Sequence, residues 1–255
     1  MNSDTGYQPP EPQKIMLVLF LTIIGIIVLN FLPLSTGHLL FLLAGELFII
    51  IPALLFVLRT RHSLLKAFRI KPVKPRKLFA TVLFFVPIYI LTDELDRLVM
   101  HFFPLPEELQ RAITEMVTFT SLPQTLLLIF TGVFIAAIVE EMLFRGLFQQ
   151  SLEYYRDPAI AIVLSAVLFA ILHFNPWTSL QILVLGLILG YVTWKTRSIL
   201  PAVILHALNN GVSMVFINLP PEQMTWYARN GHVNVPWILF GIAAMVPAFR
   251  FFLKR

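Results

Sequence analysis

Long apolar runs, repeated along the whole chain, constrain this sequence more than any other feature. Segments 15–32, 39–58, 78–100, 122–143, 159–174, 180–194, 199–219 and 235–252 are dominated by Leu, Ile, Val, Phe and Ala. Inside a bilayer every backbone N–H and C=O must find a partner within the protein, and for runs of this length the helix achieves that. A perpendicular crossing takes about 20 apolar residues, so the shorter runs are expected to be tilted or sheltered. The expected fold class is all-α: a polytopic membrane protein with about eight transmembrane helices enclosing a hydrated cavity. Composition agrees, since charged residues make up only 13% of the chain where soluble domains carry roughly 25%.

Charge placement orients the spans. With the N-terminus placed in the cytoplasm, every Lys and Arg except Arg97, Arg111 and Arg229 falls on the inner side. That bias predicts both termini in the cytoplasm. The basic run from Arg59 to Lys77 reads first as a topology determinant; attraction of anionic lipid headgroups or of substrate is the second reading. Pro72 and Pro75 break it into a loop. Phe103-Pro104-Leu105-Pro106 ends the third span and opens an outer loop carrying Glu107, Glu108 and Glu115, while Asp93, Glu94 and Asp96 read as boundary groups.

The segment 1–14 is polar and proline-rich, and it lacks the basic n-region of a signal peptide. With no repeat or linker in sight, residues 15–255 read as a single membrane-embedded domain. The formal charge of +5 and the absence of cysteine narrow the chemistry. Without a phosphate loop, zinc-finger spacing or basic tail, nucleic acid is not an expected partner. A thiol nucleophile, a disulfide framework and a thiolate metal site are excluded.

The informative residues are polar groups in apolar helices, where they are costly. The fourth run enters Val139-Glu140-Glu141-Met142-Leu143-Phe144-Arg145. Glu141 and Arg145 stand one helical turn apart and can pair, while Glu140 points about 100° away and stays free for another task. Phe169 and His173 repeat the same spacing in the next run, and His206 and Asn210 repeat it in the seventh. A lone histidine on an apolar helix is more often a packed, hydrogen-bonded residue than a ligand; three such pairs on three helices are harder to explain as packing. Counting from a turn near Tyr155-Arg156-Asp157-Pro158, Glu140 and His173 each lie about 20–25 Å along their helices, so a hairpin would bring them level. The fourth helix is then expected to continue to Tyr155 as an amphipathic end, protruding from the membrane or lying on its surface.

At these positions the sequence resembles the CaaX-processing and bacteriocin-processing intramembrane proteases, the glutamate-dependent membrane peptidases. Glu140-Glu141 with Arg145 matches EExxxR, Phe169 to His173 matches FxxxH, and His206 to Asn210 matches HxxxN, with the motif core spanning about 132–211. The resemblance implies endopeptidase activity on a membrane-associated peptide or protein, with prenylated CaaX-like and other lipidated substrates as one option, in a bacterial cytoplasmic membrane. It casts Glu140 as principal catalytic carboxylate, His173 as its partner in activating water, and His206 and Asn210 as oxyanion-stabilising groups. Glu141, Arg145 and Phe169 take supporting roles. No cofactor is expected.

Other readings stay open at this stage. Glu140 or Glu141 with His173 and His206 could supply a Zn2+ centre, although the compact HExxH pattern is absent. A noncatalytic proton-coupled transporter would also place acids and histidines in the membrane, with Glu46 of the second span as a further relay group. A catalytically idle membrane-binding protein would use the same spans as scaffold. A serine or aspartyl-dyad mechanism lacks its residues.

Overall fold

Prolines and caps cut the apolar runs into helices. The computed structural model describes residues 7–31 and 38–254; residues 1–6 of the expected N-terminal segment and the expected end of the first span at Leu32 lie outside them. Helices α1 (Pro12–Phe31) and α2 (His38–Arg59) pack on each other, and the basic connection carries a single turn, α3 (Leu64–Ala67). Helix α4 (Pro75–Phe102) starts on a proline, whose missing N–H costs nothing at a first helical position. There follow α5 (Glu107–Val117), α6 (Leu122–Tyr155), α7 (Pro158–Ile171), α8 (Ser179–Thr196) and α9 (Leu200–Asn218). A two-stranded hairpin, β1 (Ala228–Arg229) and β2 (His232–Val233), precedes α10 (Val235–Leu253).

Among the described residues, six helices are long and apolar enough to cross a membrane: α2 from Leu42, α4, α6, α8, α9 and α10. The protein is thus an all-α integral membrane protein. The other two expected spans form shorter apolar helices, Pro12–Val28 and Pro158–Ile171. The 14 residues of α7 cover about 21 Å, less than the roughly 30 Å hydrocarbon core. One face packs against α8 and the last turns of α6, while Ile160, Val163, Leu164 and Ile171 face outward.

Two expectations change form. The acidic segment expected as an outer loop is a surface helix, α5; Pro106 precedes it and Glu107 and Glu108 occupy its first turn, where carboxylates favour the helix dipole. The continuation of α6 to Tyr155 is present, but its end is no free amphipathic surface, because Gln149, Ser151, Leu152 and Glu153 are buried. Arg69 donates to both Glu153 oxygens at 2.9 and 2.5 Å, Arg197 adds a bond of 3.1 Å, and Gln149 one of 2.8 Å. This lock ties the α3 connection and the end of α8 to α6. Gly146 permits the approach, since a Cβ there would stand 2.8 Å from the Phe68 backbone.

One apolar core joins α1, α2, α6 and α7 around Ile15, Val57, Leu147 and Phe169; a second joins α4, α8, α9 and α10 around Phe84, Leu189, Leu205 and Phe252. The boundary carboxylates of α4 pin the hairpin. Asp93 accepts from Arg97 at 2.9 Å and from the Tyr227 hydroxyl at 3.0 Å. Glu94 receives the His232 ring at 2.9 Å and the Val233 amide at 2.8 Å. Burial and the neighbouring Asp93 push the Tyr227 phenol up, which keeps it a donor.

Candidate active site

The polar residues gather where the two cores meet. Helix α6 has two π-helical stretches, Phe130–Ile135 and Met142–Phe148. Such wide turns re-aim the side chains around them and often mark functional sites. Between them the α-helical segment Ala136–Glu141 presents Glu140 and Glu141. The second stretch then carries Arg145, fully buried, into the protein.

Glu141 and Arg145 form the pair that their spacing suggests, at 2.8 Å with neither side chain exposed. Arg145 also donates to the Gly186 carbonyl at 3.2 Å, and its guanidinium lies 4.1 Å from the centre of the Phe169 ring. Breaking such a buried pair costs about 3–5 kcal/mol, because the surviving charge is left unpaired. The same ring edge-packs against His173 at 4.6 Å and His206 at 5.8 Å between centroids. Phe169 thus stands against one cation and two imidazoles at once.

The hairpin of α6 and α7 brings Glu140 and His173 level: Glu140 Oε2 stands 3.8 Å from His173 Nε2. From α9, His206 Nε2 approaches the same oxygen at 3.9 Å. Each ring is oriented through its other nitrogen. His173, just past the end of α7, has Nδ1 2.7 Å from the Phe169 carbonyl; since a carbonyl only accepts, Nδ1 carries the hydrogen. His206 Nδ1 lies 3.0 Å from Glu141 Oε1, a carboxylate already paired with Arg145, so it too donates. Both rings therefore turn Nε2 toward Glu140, whose Oε2 is buried with no hydrogen-bond partner. The Glu141–His206 bond is the contact that sequence spacing does not announce, because it joins residues on different helices.

Asn210 lies in the same region but is held differently. Its amide donates to the Gly132 carbonyl of α6 at 3.0 Å, leaving its second N–H uncommitted. Between α6 and α9 lies a mostly apolar cavity of about 530 Å³, lined by residues including Val133, Phe134, Ala207 and Gly211. Helix α2, which packs on the Ala136–Glu141 segment, carries Glu46, whose buried Oε2 has no hydrogen-bond partner among the described residues.

As possible metal ligands, Glu140, His173 and His206 offer one oxygen and two nitrogens. Among the described residues, however, no group of three or more His, Asp or Glu side chains has an arrangement that would hold a metal ion. What the three atoms can do directly is bind one small hydrogen-bonding group in common, since 3.8–3.9 Å is too long for a direct bond and suits a bridged one.

Comparison with known proteins bears on the same stretch. No curated protein and no solved structure matches the chain. The model of one family, Type II CAAX prenyl endopeptidase Rce1-like, matches residues 122–212. That stretch begins with α6, includes α7 and α8, and ends within α9, so the helices that build the Glu140–His173–His206 cluster are the part of this membrane protein that is similar to the Rce1-like CAAX endopeptidases.

Proposed function

We propose that this protein is an intramembrane endopeptidase of the glutamate-dependent kind, which hydrolyses peptide bonds of membrane-associated, lipidated substrates with water activated by Glu140 and His173. The observation that carries the reading is the convergence of His173 Nε2 and His206 Nε2 on one unpartnered Glu140 oxygen, at 3.8 and 3.9 Å. The Rce1-like match over 122–212 supports it from an independent side.

The chemistry follows from which hydrogens are already fixed. Water bridging Glu140 and His173 Nε2 loses a proton to the carboxylate as its oxygen attacks the peptide carbonyl carbon. The carbon–oxygen double bond becomes a single bond bearing negative charge. The proton held by Glu140 then passes to the departing nitrogen as the carbon–nitrogen bond breaks, which is general base followed by general acid work by one group. The oxyanion is met by the free amide hydrogen of Asn210 and, once a proton sits on Nε2, by His206, whose Nδ1–H is anchored on Glu141. Preoriented donors of this kind stabilise charge without waiting for solvent to reorganise. The apolar cavity between α6 and α9 accommodates the hydrocarbon part of the substrate.

In this reading the bilayer is an inner membrane of a bacterial cell, both termini are cytoplasmic, water reaches Glu140 through a hydrated cavity, and residues 15–255 act as one peptidase unit. The test uses protein reconstituted in vesicles with farnesylated and unmodified peptides. Cleavage should occur with native protein and vanish with Glu140→Ala at unchanged thermal stability. Equal turnover by the variant sinks the assignment. Activity that survives exhaustive chelation separates the glutamate mechanism from the zinc alternative.

A further inference from the structure

The start of α4 and the end of α10 share a group of cations that the fold does not neutralise. Among the described residues, the Lys and Arg ion pairs engage Lys14, Arg69, Arg97, Arg145 and Arg197; Arg76, Lys77, Arg250 and Lys254 stand in none of them. Packing holds these four together. Lys77 donates to the Phe252 carbonyl and, at 3.0 Å, to that of Lys254, which ties the first turn of α4 to the last turn of α10. Its amine lies 4.7 Å from the centre of the Phe252 ring, and the Arg76 guanidinium lies 5.6 Å from that of Phe251. Phe251 packs edge-on against Phe79 at 6.4 Å. Arg76, Arg250 and Lys254 are exposed.

Rings beneath cations are typical of the level where a membrane helix meets lipid headgroups. Here that level continues into apolar surface. Phe79, Leu83 and Val86, at i, i+4 and i+7, are exposed along one stripe of α4. From Arg76 to Val86 the helix rises about 15 Å, half the thickness of the hydrocarbon core. An amphiphile lying on this stripe meets apolar contact along its chain and uncompensated positive charge at its head. A zwitterionic head brings its own cation and gains less there than an anionic one.

We propose that the boundary of α4 and α10 is a binding site for an anionic phospholipid, with the phosphodiester held by Arg76 and Arg250 and an acyl chain lying along Phe79, Leu83 and Val86. Paired guanidinium N–H groups match two phosphate oxygens. Lys77 adds charge and fixes the spacing of the two helices. The basic connection offers a contrast: Arg69 is committed to Glu153, and among the described residues no aromatic ring underlies the exposed Arg59 and Lys66. The site is independent of the peptidase reading.

Native mass spectrometry of full-length protein from micelles containing equal amounts of phosphatidylglycerol and phosphatidylcholine tests this. Native protein should retain phosphatidylglycerol in preference. Arg76→Gln with Arg250→Gln should lower the lipid-bound to lipid-free ratio by about fivefold or more, the size expected for cations at an anionic headgroup. Arg59→Gln with Lys66→Gln removes the same charge and should leave most of the ratio intact. Equal losses in the two pairs overturn the proposal in favour of diffuse attraction, and so does a native protein that retains both lipids alike. Excess glycerol phosphate, a headgroup without chains, should not displace the lipid; displacement overturns the assignment to an amphiphile. Should the double variant fail to fold, Arg76→Gln decides alone: an unchanged ratio overturns the site.

Discussion

Two charged clusters lie on the same helix, three turns apart, and they are built to opposite rules. At the Tyr155 end of α6, both oxygens of Glu153 are satisfied: two bonds from Arg69, one from Arg197 and one from Gln149. At the Glu140–Arg145 level the accounting is left open. Glu140 Oε2, Glu141 Oε2 and Arg145 Nε are all buried without partners, and two imidazole nitrogens stop just short of contact. A saturated carboxylate has no capacity left for chemistry and serves as a joint. An unsaturated one in a buried setting is costly for stability, a cost that a reaction can explain.

The largest effects should separate the clusters by what is measured. Glu140→Ala should lower kcat/KM by about 10³- to 10⁴-fold, the upper range for a general acid–base group, while thermal unfolding in detergent stays near native. Glu153→Ala should do the reverse. It strands Arg69, whose side chain is 7% exposed, and leaving a buried charge unpaired costs about 3–5 kcal/mol. The loss appears as a lower unfolding midpoint, with turnover per folded molecule retained. If Glu140→Ala unfolds the protein, or Glu153→Ala abolishes turnover in protein that remains folded, the contrast collapses.

The two clusters were also unequally legible in the sequence. The Glu141–Arg145 pair and the Glu140–His173 approach follow from local spacing: one is a helical turn, the other a hairpin counted from Pro158. The lock could not be read this way. Glu153 meets Arg69 across 84 residues and Arg197 across 44, and in sequence those arginines look like ordinary positive-inside charges. The bond from His206 to Glu141 is hidden for a related reason. Periodicity tells which residues share a face, but the rotation of α9 against α6 is set by packing, here including the π-helical stretches of α6. The same limit explains why Asn210, grouped with His206 by spacing, turns out to tie its amide to Gly132.

A third substitution probes the joint without touching a charge. Gly146→Ala places a Cβ 2.8 Å from the Cα and carbonyl oxygen of Phe68, which are backbone atoms and cannot rotate aside. Overpacking of this kind costs about 1–3 kcal/mol. Because Phe68 lies between α3 and Arg69, the unfolding midpoint should drop and Arg69 should be drawn off Glu153. Gly190→Ala meets side-chain atoms instead, Gln149 Oε1 at 2.9 Å and Ile162 Cγ2 at 3.0 Å, which adjust more readily than backbone although Gln149 is bonded to Glu153. It should cost less. Equal losses for the two would mean that the α6–Phe68 approach is not the tight point of the joint.

The smallest effect sharpens the comparison within the lock itself. Arg69 and Arg197 share an acceptor, Glu153, and a left-handed backbone, with φ of 51° and 57°. They differ in burial: the Arg69 side chain is 7% exposed and that of Arg197 61%. Glycine at either site relieves the left-handed conformation, an effect on the order of 1 kcal/mol. At Arg197 it also removes an exposed ion pair of comparable or smaller size, about 0–1 kcal/mol, so the two changes nearly cancel. Arg197→Gly should leave the unfolding midpoint within a degree or two of native. At Arg69 the same substitution deletes both buried bonds to Glu153 and should cost several times more than the backbone returns. A double variant with Glu153→Ala discriminates further: the penalty of Arg69→Gly should shrink markedly once its acceptor is gone, while that of Arg197→Gly should hardly change. A large destabilisation by Arg197→Gly in the native background would place the lock's strength at its rim rather than in its buried half.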